Sequence, residues 1–268
     1  MTDSTLVPDD QLLELRRTAR QLVFRTGVDS TPVSLGGTCF LLGYRDRLFA
    51  ITARHVVKDA VPEELLLATS EDSWIPARVL EQFNPSDEIS GALDLVVYDL
   101  DVRHFIAKHR RNSRAYNLLA TESNWSATRY QSNFFFFGYP LVHATVDYGS
   151  RTTRAESQQW FLQATYQGSS ELPHCHKLRL LDASGIGDLN GLSGSPVFAC
   201  RSIIGTTAQP QLAGILLRGT AASGLVHFLE VEALRTVLEE ILRRPPRRLP
   251  KRWRSVKTKK RRAPREHH

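Results

Sequence analysis

Between residues 37 and 230 the chain consists mainly of short apolar runs separated by glycine, proline and polar turn residues. Runs of this length, rich in β-branched and aromatic residues, are typical of the strands of β-barrels and sandwiches. A polar, basic span at 108–130 divides the runs into two series, so the pattern predicts an all-β protein with two lobes. The predicted strands lie at 37–43, 47–52, 64–69, 74–83 and 93–100 in the first lobe, and at 133–140, 143–148, 158–167, 176–182, 195–200, 211–219 and 224–230 in the second.

At both ends of this region the apolar positions change to the period of a helix. The first series follows two aspartates, which favour a helix N-terminus, and it predicts a helix over 9–25. The second predicts a helix over 230–244 that packs one apolar stripe against the body. The apolar positions are Leu12, Leu15, Ala19, Leu22 and Val23 in the first helix, and Val231, Leu234, Val237, Leu238, Ile241 and Leu242 in the second.

The net charge of +7 is distributed unevenly along the 268 residues. Residues 243–268 contain 13 lysines and arginines and one acid, Glu266, so they carry +12 and residues 1–242 carry −5. Four prolines and few apolar residues predict that the tail, 245–268, is disordered. Two interpretations stay open: a solvated charge run, or a tail that binds nucleic acid, an acidic protein or an anionic membrane.

The cellular compartment is predicted from what the sequence lacks and from its cysteines. No apolar run approaches the roughly 18 residues needed to span a bilayer, and the N-terminus does not have the pattern of a secretory signal. Cys39, Cys175 and Cys200 are odd in number and unrelated in spacing, which suits reduced thiols better than a disulfide framework. We therefore expect a cytoplasmic protein.

Three residues in two β lobes suggest nucleophilic catalysis. His55 directly follows the predicted strand 47–52, and Asp94 opens the predicted strand 93–100, where a buried carboxylate needs a donor such as an imidazole N–H. Ser193 lies in the stretch GLSGSPVF, 191–198. A serine hydroxyl is a poor nucleophile unless a base accepts its proton and a third group orients that base. Each residue alone has an ordinary explanation: His55 could be a core histidine, Asp94 a strand cap, and Ser193 part of a glycine-rich turn.

Together these residues resemble the chymotrypsin-like (trypsin-like) serine peptidase family, in its intracellular prokaryotic form. The matching motifs are ITARHVV (51–57), DLVVYDL (94–100) and GLSGSPVF, supported by FFFFGYP (134–140) and LAGILLRG (212–219). The resemblance covers roughly 32–244 and implies two antiparallel six-stranded β-barrels with the site between them. The implied organisation is an N-terminal helical extension (1–30), a first β-barrel (31–120), a second β-barrel (121–229), a C-terminal helix (230–244) and the tail (245–268).

The resemblance also implies a role for each matched residue. Ser193 would attack the scissile carbonyl, His55 would act as base and then acid, and Asp94 would orient the imidazole. The backbone N–H groups of Gly191 and Ser193 would form the oxyanion hole. No cofactor or metal is implied, and the substrate would be a protein or peptide, in a regulatory or defence system.

Other positions depart from the family pattern. Leu192 replaces the aspartate that pairs with a newly cleaved N-terminus in secreted members, so activation by N-terminal cleavage is not expected. Val56 replaces a common cysteine, and Leu217 replaces a serine that often hydrogen-bonds the triad carboxylate. The substrate-binding residues implied by the resemblance are Gly187, Asp188, Leu217, Arg218, Gly219 and His227; they do not identify the side chain preferred before the scissile bond.

Other residues of the chain suggest three alternatives to the peptidase. His174 and His176 could offer two imidazoles to a metal, but no second pair at zinc spacing accompanies them, so no metal site is predicted. The chain could instead be a catalytically weak scaffold that binds a partner peptide by edge-strand pairing along 217–219. It could also be a module that the basic tail recruits to nucleic acid.

Overall fold

The computed structural model describes residues 7–57, 60–70, 73–85, 93–109, 115–118, 124–149, 153–182, 187–201 and 209–244. The predicted disordered tail, 245–268, lies outside these residues. The described part is mostly β and forms two lobes. None of its helices is both long and apolar enough to cross a membrane.

The N-terminal helix is shorter than the sequence pattern predicts. Helix α1 spans Asp9–Arg16, and residues Ala19–Arg25 form strand β1, so the predicted helix over 9–25 is wrong in its second half. Six consecutive residues of β1 are buried, and β1 pairs with a strand on each side. A run buried on both faces fits a central strand, whereas an amphipathic helix would expose one side. The N-terminal extension therefore contributes to the first lobe.

The first lobe is one antiparallel sheet to which a short parallel strand is added. Its strand order is β5-β4-β1-β2-β3-β7-β6, and β8 pairs with β2. The strands are β1, β2 (Val33–Tyr44), β3 (Arg47–Thr52), β4 (Leu65–Ser70), β5 (Ser73–Pro76), β6 (Val79–Phe83), β7 (Val96–Leu100) and β8 (Tyr116–Asn117). The helices are α2 (Arg54–Val57), α3 (Val102–His109) and a 3₁₀ turn at Pro62–Glu64.

The sequence predicts a closed six-stranded barrel for the first lobe, but the pairings of its described strands do not form a closed path. The predicted strand 74–83 is divided at Ala77 and Arg78, and Arg78 has a positive φ of 37°. Because only two residues join β5 to β6, the sheet curls until its two edges come close. No pairing between the described residues of β5 and β6 closes it. Over its described residues the first lobe is thus a curled half-barrel sheet.

The second lobe is a closed six-stranded antiparallel barrel, in agreement with the prediction for this half. Its order is β12-β13-β16-β15-β14-β9. The strands are β9 (Ser132–Gly138), β12 (Trp160–Ser169), β13 (Cys175–Leu180), β14 (Pro196–Arg201), β15 (Gln211–Thr220) and β16 (Leu225–Glu230), and β10 (Thr145–Asp147) pairs with β11 (Arg154–Glu156) in a separate small sheet. The lobe begins with α4 (Trp125–Thr128) and a 3₁₀ turn at Arg129–Gln131; another 3₁₀ turn spans Leu141–His143.

The C-terminal helix α5 (Val231–Arg243) agrees with the predicted helix over 230–244 and joins the two lobes. Its apolar stripe lies in a core that also contains residues of both lobes, among them Phe40 and Phe198. On its polar side, Glu239 accepts hydrogen bonds from Tyr44 and from Arg45, which lie at the β2–β3 turn of the first lobe. The helix therefore holds the lobes in a fixed relation.

Candidate active site

The register of the first sheet brings His55 and Asp94 together. Strands β3 and β7 are antiparallel, with Thr52 opposite Val96. Continuing this register places Arg54 opposite Asp94, and the Arg54 N–H donates to the Asp94 carbonyl oxygen at 3.2 Å. The first turn of α2 then carries His55 over the Asp94 carboxylate. The proximity of these two side chains is therefore a consequence of strand pairing.

Asp94 holds both the backbone and the ring of His55. Its Oδ1 accepts the His55 backbone N–H at 3.0 Å, and its Oδ2 lies 2.5 Å from His55 Nδ1. Because a carboxylate only accepts hydrogen bonds, Nδ1 carries a proton, so that whenever the imidazole is neutral its Nε2 is an acceptor. The His55 side chain is half exposed, with Nε2 directed towards the second lobe.

The charge state of Asp94 follows from competing effects. Partial burial opposes ionisation, but the side-chain hydrogen bond and charge of His55 outweigh it, with help from the backbone N–H groups of His55 and Arg54. The net result is that the pKa of the Asp94 carboxyl is lowered from its ordinary value. Asp94 is therefore ionised at neutral pH. It orients the imidazole although Leu217 stands where related peptidases often have a serine that hydrogen-bonds this carboxylate.

Ser193 comes from the second lobe, in the turn before β14. Its Oγ lies 3.0 Å from His55 Nε2, and the residue is 8% exposed. The structure thus brings together all three predicted catalytic residues, which are 39 and 99 positions apart in the chain. A hydrogen-bond chain runs from the Asp94 carboxylate through the imidazole to the hydroxyl, which is the arrangement needed to activate a serine.

The amide of Gly191 is oriented by the residue before it. The Asn190 carbonyl oxygen accepts the Leu141 N–H at 2.7 Å, and all described peptide bonds are trans. In a planar trans peptide the next N–H points the opposite way, so the Gly191 N–H points away from Leu141. Gly191 has a φ of 94°, and a Cβ there would lie 2.5 Å from the Tyr139 carbonyl oxygen. Only glycine fits this position.

The amide of Ser193 is oriented by the same means. The Leu192 carbonyl oxygen accepts two hydrogen bonds from Ser195, one from its backbone N–H at 3.0 Å and one from its side-chain hydroxyl at 2.6 Å. The Ser193 N–H therefore points away from Ser195. Within the described part of the chain neither this N–H nor that of Gly191 donates a hydrogen bond. Two free donors beside the Ser193 hydroxyl can stabilise an oxyanion.

Two threonines of the first lobe fix this turn of the second lobe. Thr38 Oγ1 donates to the Gly191 carbonyl oxygen at 2.7 Å and accepts the Tyr139 N–H at 2.8 Å. Thr52 Oγ1 donates to the Thr38 carbonyl oxygen at 2.7 Å, and both threonines are fully buried. Sequence reasoning missed Thr38, Thr52 and Ser195. The available signal was a small hydroxyl residue within otherwise apolar strand or turn sequence.

The two lobes also meet through backbone atoms at this turn. Gly194 has a φ of 93°, and a Cβ there would lie 2.1 Å from the Thr38 carbonyl oxygen. On its other side the Gly194 N–H donates to the Leu216 carbonyl oxygen at 2.7 Å. The turn that carries Ser193 is therefore enclosed between β2 of the first lobe and β15 of the second.

The predicted substrate-binding residues divide into two groups. Asp188 lines an open cleft of about 940 Å³ together with His55, Gly191 and Ser193. Its carboxylate accepts the Asn190 backbone N–H at 3.0 Å and also the Asn190 side-chain amide. The other predicted residues are not among the described residues that line this cleft: Gly187, Leu217, Arg218, Gly219 and His227.

Local contacts explain the positions of this second group. Leu217 is buried in the shared core. A Cβ at Gly219 would lie 2.6 Å from Val226 Cγ1 and 3.1 Å from Leu189 Cδ1, so apolar side chains lie directly against it. His227 Nδ1 lies 2.9 Å from Ser170 Oγ, and burial, with the charge of Arg218, lowers the pKa of the His227 imidazole.

The histidines weighed as metal ligands are instead paired with a carboxylate. His174 Nδ1 lies 2.9 Å from Glu230 Oε1, and His176 Nε2 lies 3.1 Å from Glu230 Oε2. The remaining ring nitrogen of His176 is 2.8 Å from the Tyr166 hydroxyl. Among the described residues no group of three His, Cys, Asp or Glu side chains is arranged to hold a metal ion.

Neither a protein-family model nor a curated protein matches this chain. The interpretation of the site therefore depends on its geometry.

Proposed function

We propose that this protein is a serine endopeptidase of the chymotrypsin-like type, which cleaves a polypeptide through an acyl-enzyme intermediate. The observation that carries the proposal is the hydrogen-bond chain from Asp94 Oδ2 through His55 to Ser193 Oγ, at 2.5 and 3.0 Å. If His55 were only a core histidine and Asp94 only a strand cap, there would be no reason for a serine of the other lobe to be hydrogen-bonded to the same imidazole. The N–H groups of Gly191 and Ser193, which have no acceptor among the described residues, support the same chemistry.

The reaction proceeds in two stages. Ser193 Oγ forms a bond to the carbonyl carbon of the substrate while its proton passes to His55 Nε2, and the carbonyl oxygen becomes an oxyanion that accepts the N–H groups of Gly191 and Ser193. The C–N bond breaks, His55 protonates the leaving amine, and an ester remains on Ser193. Water then attacks the ester carbonyl carbon while His55 again accepts a proton. The bond between this carbon and Ser193 Oγ breaks, His55 returns the proton to Oγ, and the carboxylic acid product leaves. Throughout, Asp94 stabilises the imidazolium that forms.

Covalent labelling with a fluorophosphonate tests the proposal because this probe reacts with an activated serine. The wild-type protein is expected to be labelled, whereas Ser193→Ala and His55→Ala are expected to lose labelling. Ser126→Ala serves as the control, since Ser126 is an exposed serine of α4. The readout is the labelled fraction over time, by intact-protein mass spectrometry.

Two results would count against the proposal. Labelling that persists in Ser193→Ala would place the reactive residue elsewhere. A wild-type protein that is folded yet neither labels nor cleaves any peptide would favour the alternative of a scaffold that binds partner peptides along 217–219.

A further inference from the structure

The walls of the cleft beside Ser193 are about equally polar and apolar, and the apolar residues form one part of them. The apolar residues come from strands β1 and β2, from α2 and from the 3₁₀ turn at Leu141–His143. They include Phe24, Leu35, Val56, Val57, Leu141 and Val142. Phe24 and Val57 are buried, whereas Val142 is 47% exposed. A concave site of this size that combines apolar walls with a few polar groups is typical of a ligand pocket.

The charged groups at this cleft are one arginine and two carboxylates: Arg25, Glu64 and Asp188. Arg25 and Glu64 both line it and oppose each other in charge. Glu64 Oε2 accepts the Val61 N–H at 3.2 Å. The carboxylate of Asp188 already accepts two hydrogen bonds from Asn190. Because both carboxylates are already hydrogen-bonded within the chain, the apolar residues provide the contact by which this cleft can recognise an apolar side chain.

The position of His55 shows which part of a substrate would occupy the cleft. His55 must return its proton to the leaving amine, so the residues after the scissile bond lie on the His55 side of Ser193. His55 and the α2 residues that follow it line the cleft. Strand β15 is hydrogen-bonded to the turn that carries Ser193, through the Gly194 N–H and the Leu216 carbonyl oxygen, and its residues 217–219 are not among the described residues that line the cleft.

We infer that this cleft selects a bulky aliphatic or aromatic side chain within the first two residues after the scissile bond. The inference rests on the proposed peptidase activity. The enzyme then obtains its specificity largely from the leaving-group side of the substrate. Filling an apolar pocket discriminates by about 10- to 200-fold for each methylene-sized difference, so we expect cleavage before such residues to exceed cleavage before charged ones by at least about 10-fold.

Digestion of a proteome-derived peptide library tests this inference, because aligning the cut sites reports residue preferences on both sides of the bond. The wild-type protein is expected to enrich Leu, Ile, Val, Met or Phe at the first or second position after the cut. Val142→Asp puts a charge into the cleft at an exposed position, so the enrichment should be lost. Leu13→Asp is the matched control: Leu13 is 46% exposed and is not among the lining residues, and its library profile should equal that of the wild type.

The outcomes separate this inference from the proposed function. Ser193→Ala is digested in parallel, so that cuts by a contaminating peptidase are subtracted. Serine-dependent cuts without an apolar preference after the bond overturn the inference and leave the peptidase intact. An apolar preference that survives in a folded Val142→Asp protein, checked by its circular dichroism melting curve, also overturns it. Absence of both cuts and fluorophosphonate labelling overturns the proposed function, and this inference with it.

Discussion

Asp94 is the residue whose charge matters most for the geometry of the site. It is ionised because His55 contributes a hydrogen bond and favourable charge, and because backbone N–H groups assist. These same bonds fix the backbone of His55 and the tautomer of its ring. One carboxylate therefore performs a structural and a chemical task, and loss of its charge should affect both.

Acidification should remove the stabilisation that Asp94 provides. Because the folded-state pKa of Asp94 is lowered, its contribution is fully present above the unfolded-state pKa of about 3.9 and is lost as pH falls through the folded-state pKa. The melting temperature of the wild type should thus exceed that of Asp94→Asn at pH 7, and the difference should shrink towards pH 3. Asp147→Asn, at an exposed position of β10, controls for the loss of one carboxylate elsewhere. If the melting temperatures of the wild type and Asp94→Asn differ by the same amount at pH 7 and at pH 3, the prediction is wrong.

At the residue scale, the chain itself carries the signals for His55, Asp94 and Ser193, because each lies in a short motif at a strand end. Thr38 lies within a strand and in no such motif; its only local signal is a hydroxyl among apolar residues. Its partner Gly191 is 153 positions away, so its function depends on how the two lobes dock. Local patterns do not contain that information.

At the scale of elements, strand β1 shows why the pattern of apolar residues misleads. Ala19, Leu22 and Val23 fit the period of a helix, but Arg20 and Gln21 between them are also buried. The strand lies in the middle of the sheet and is covered on both faces, and tertiary packing then overrides the helical pattern. The remaining strands of the first lobe were largely predictable because their apolar runs are short and end at turn residues.

Helix α5 is the element whose packing is easiest to test. Leu234 is fully buried in the core that contains residues of both lobes. Leu234→Ala should lower the free energy of unfolding by about 2–5 kcal/mol, because it removes apolar contacts and leaves a cavity. Thr236→Ala, an exposed position of the same helix, should change it by no more than about 0.5 kcal/mol. Urea denaturation measures both, and equal effects would show that the helix does not pack as described.

At the scale of the whole molecule, the site exists only where the lobes meet. The first lobe supplies His55 and Asp94, and the second supplies Ser193 and both candidate oxyanion donors. The faces of the first sheet explain how the lobes are joined: Phe40 and Leu42 belong to the shared core, whereas Cys39 and Leu41 pack in a separate core on the other face. Alternate residues of one strand thus hold the first lobe together and attach it to the second.

This attachment predicts that Thr38 acts as a positioning residue between the lobes. Its hydroxyl is the first-lobe group that holds the Gly191 carbonyl oxygen, and the same hydroxyl accepts the Tyr139 N–H. Thr38→Val keeps the shape but leaves both buried groups without this partner, at a cost of about 1–3 kcal/mol in stability. If the Gly191 peptide then shifts, kcat for a cleaved peptide should fall about 10- to 100-fold with little change in KM.

Thr38→Ser separates this effect from a loss of packing. It restores the hydroxyl and removes only a methyl group, so kcat should recover to within a few-fold of the wild type. The rates are compared at a temperature where circular dichroism shows every variant fully folded. If Thr38→Val turns over as fast as the wild type under those conditions, or if Thr38→Ser is equally slow, the hydroxyl does not position the Gly191 amide. The orientation of the Gly191 N–H would then depend on the Leu141 N–H, which holds the preceding carbonyl oxygen within the second lobe.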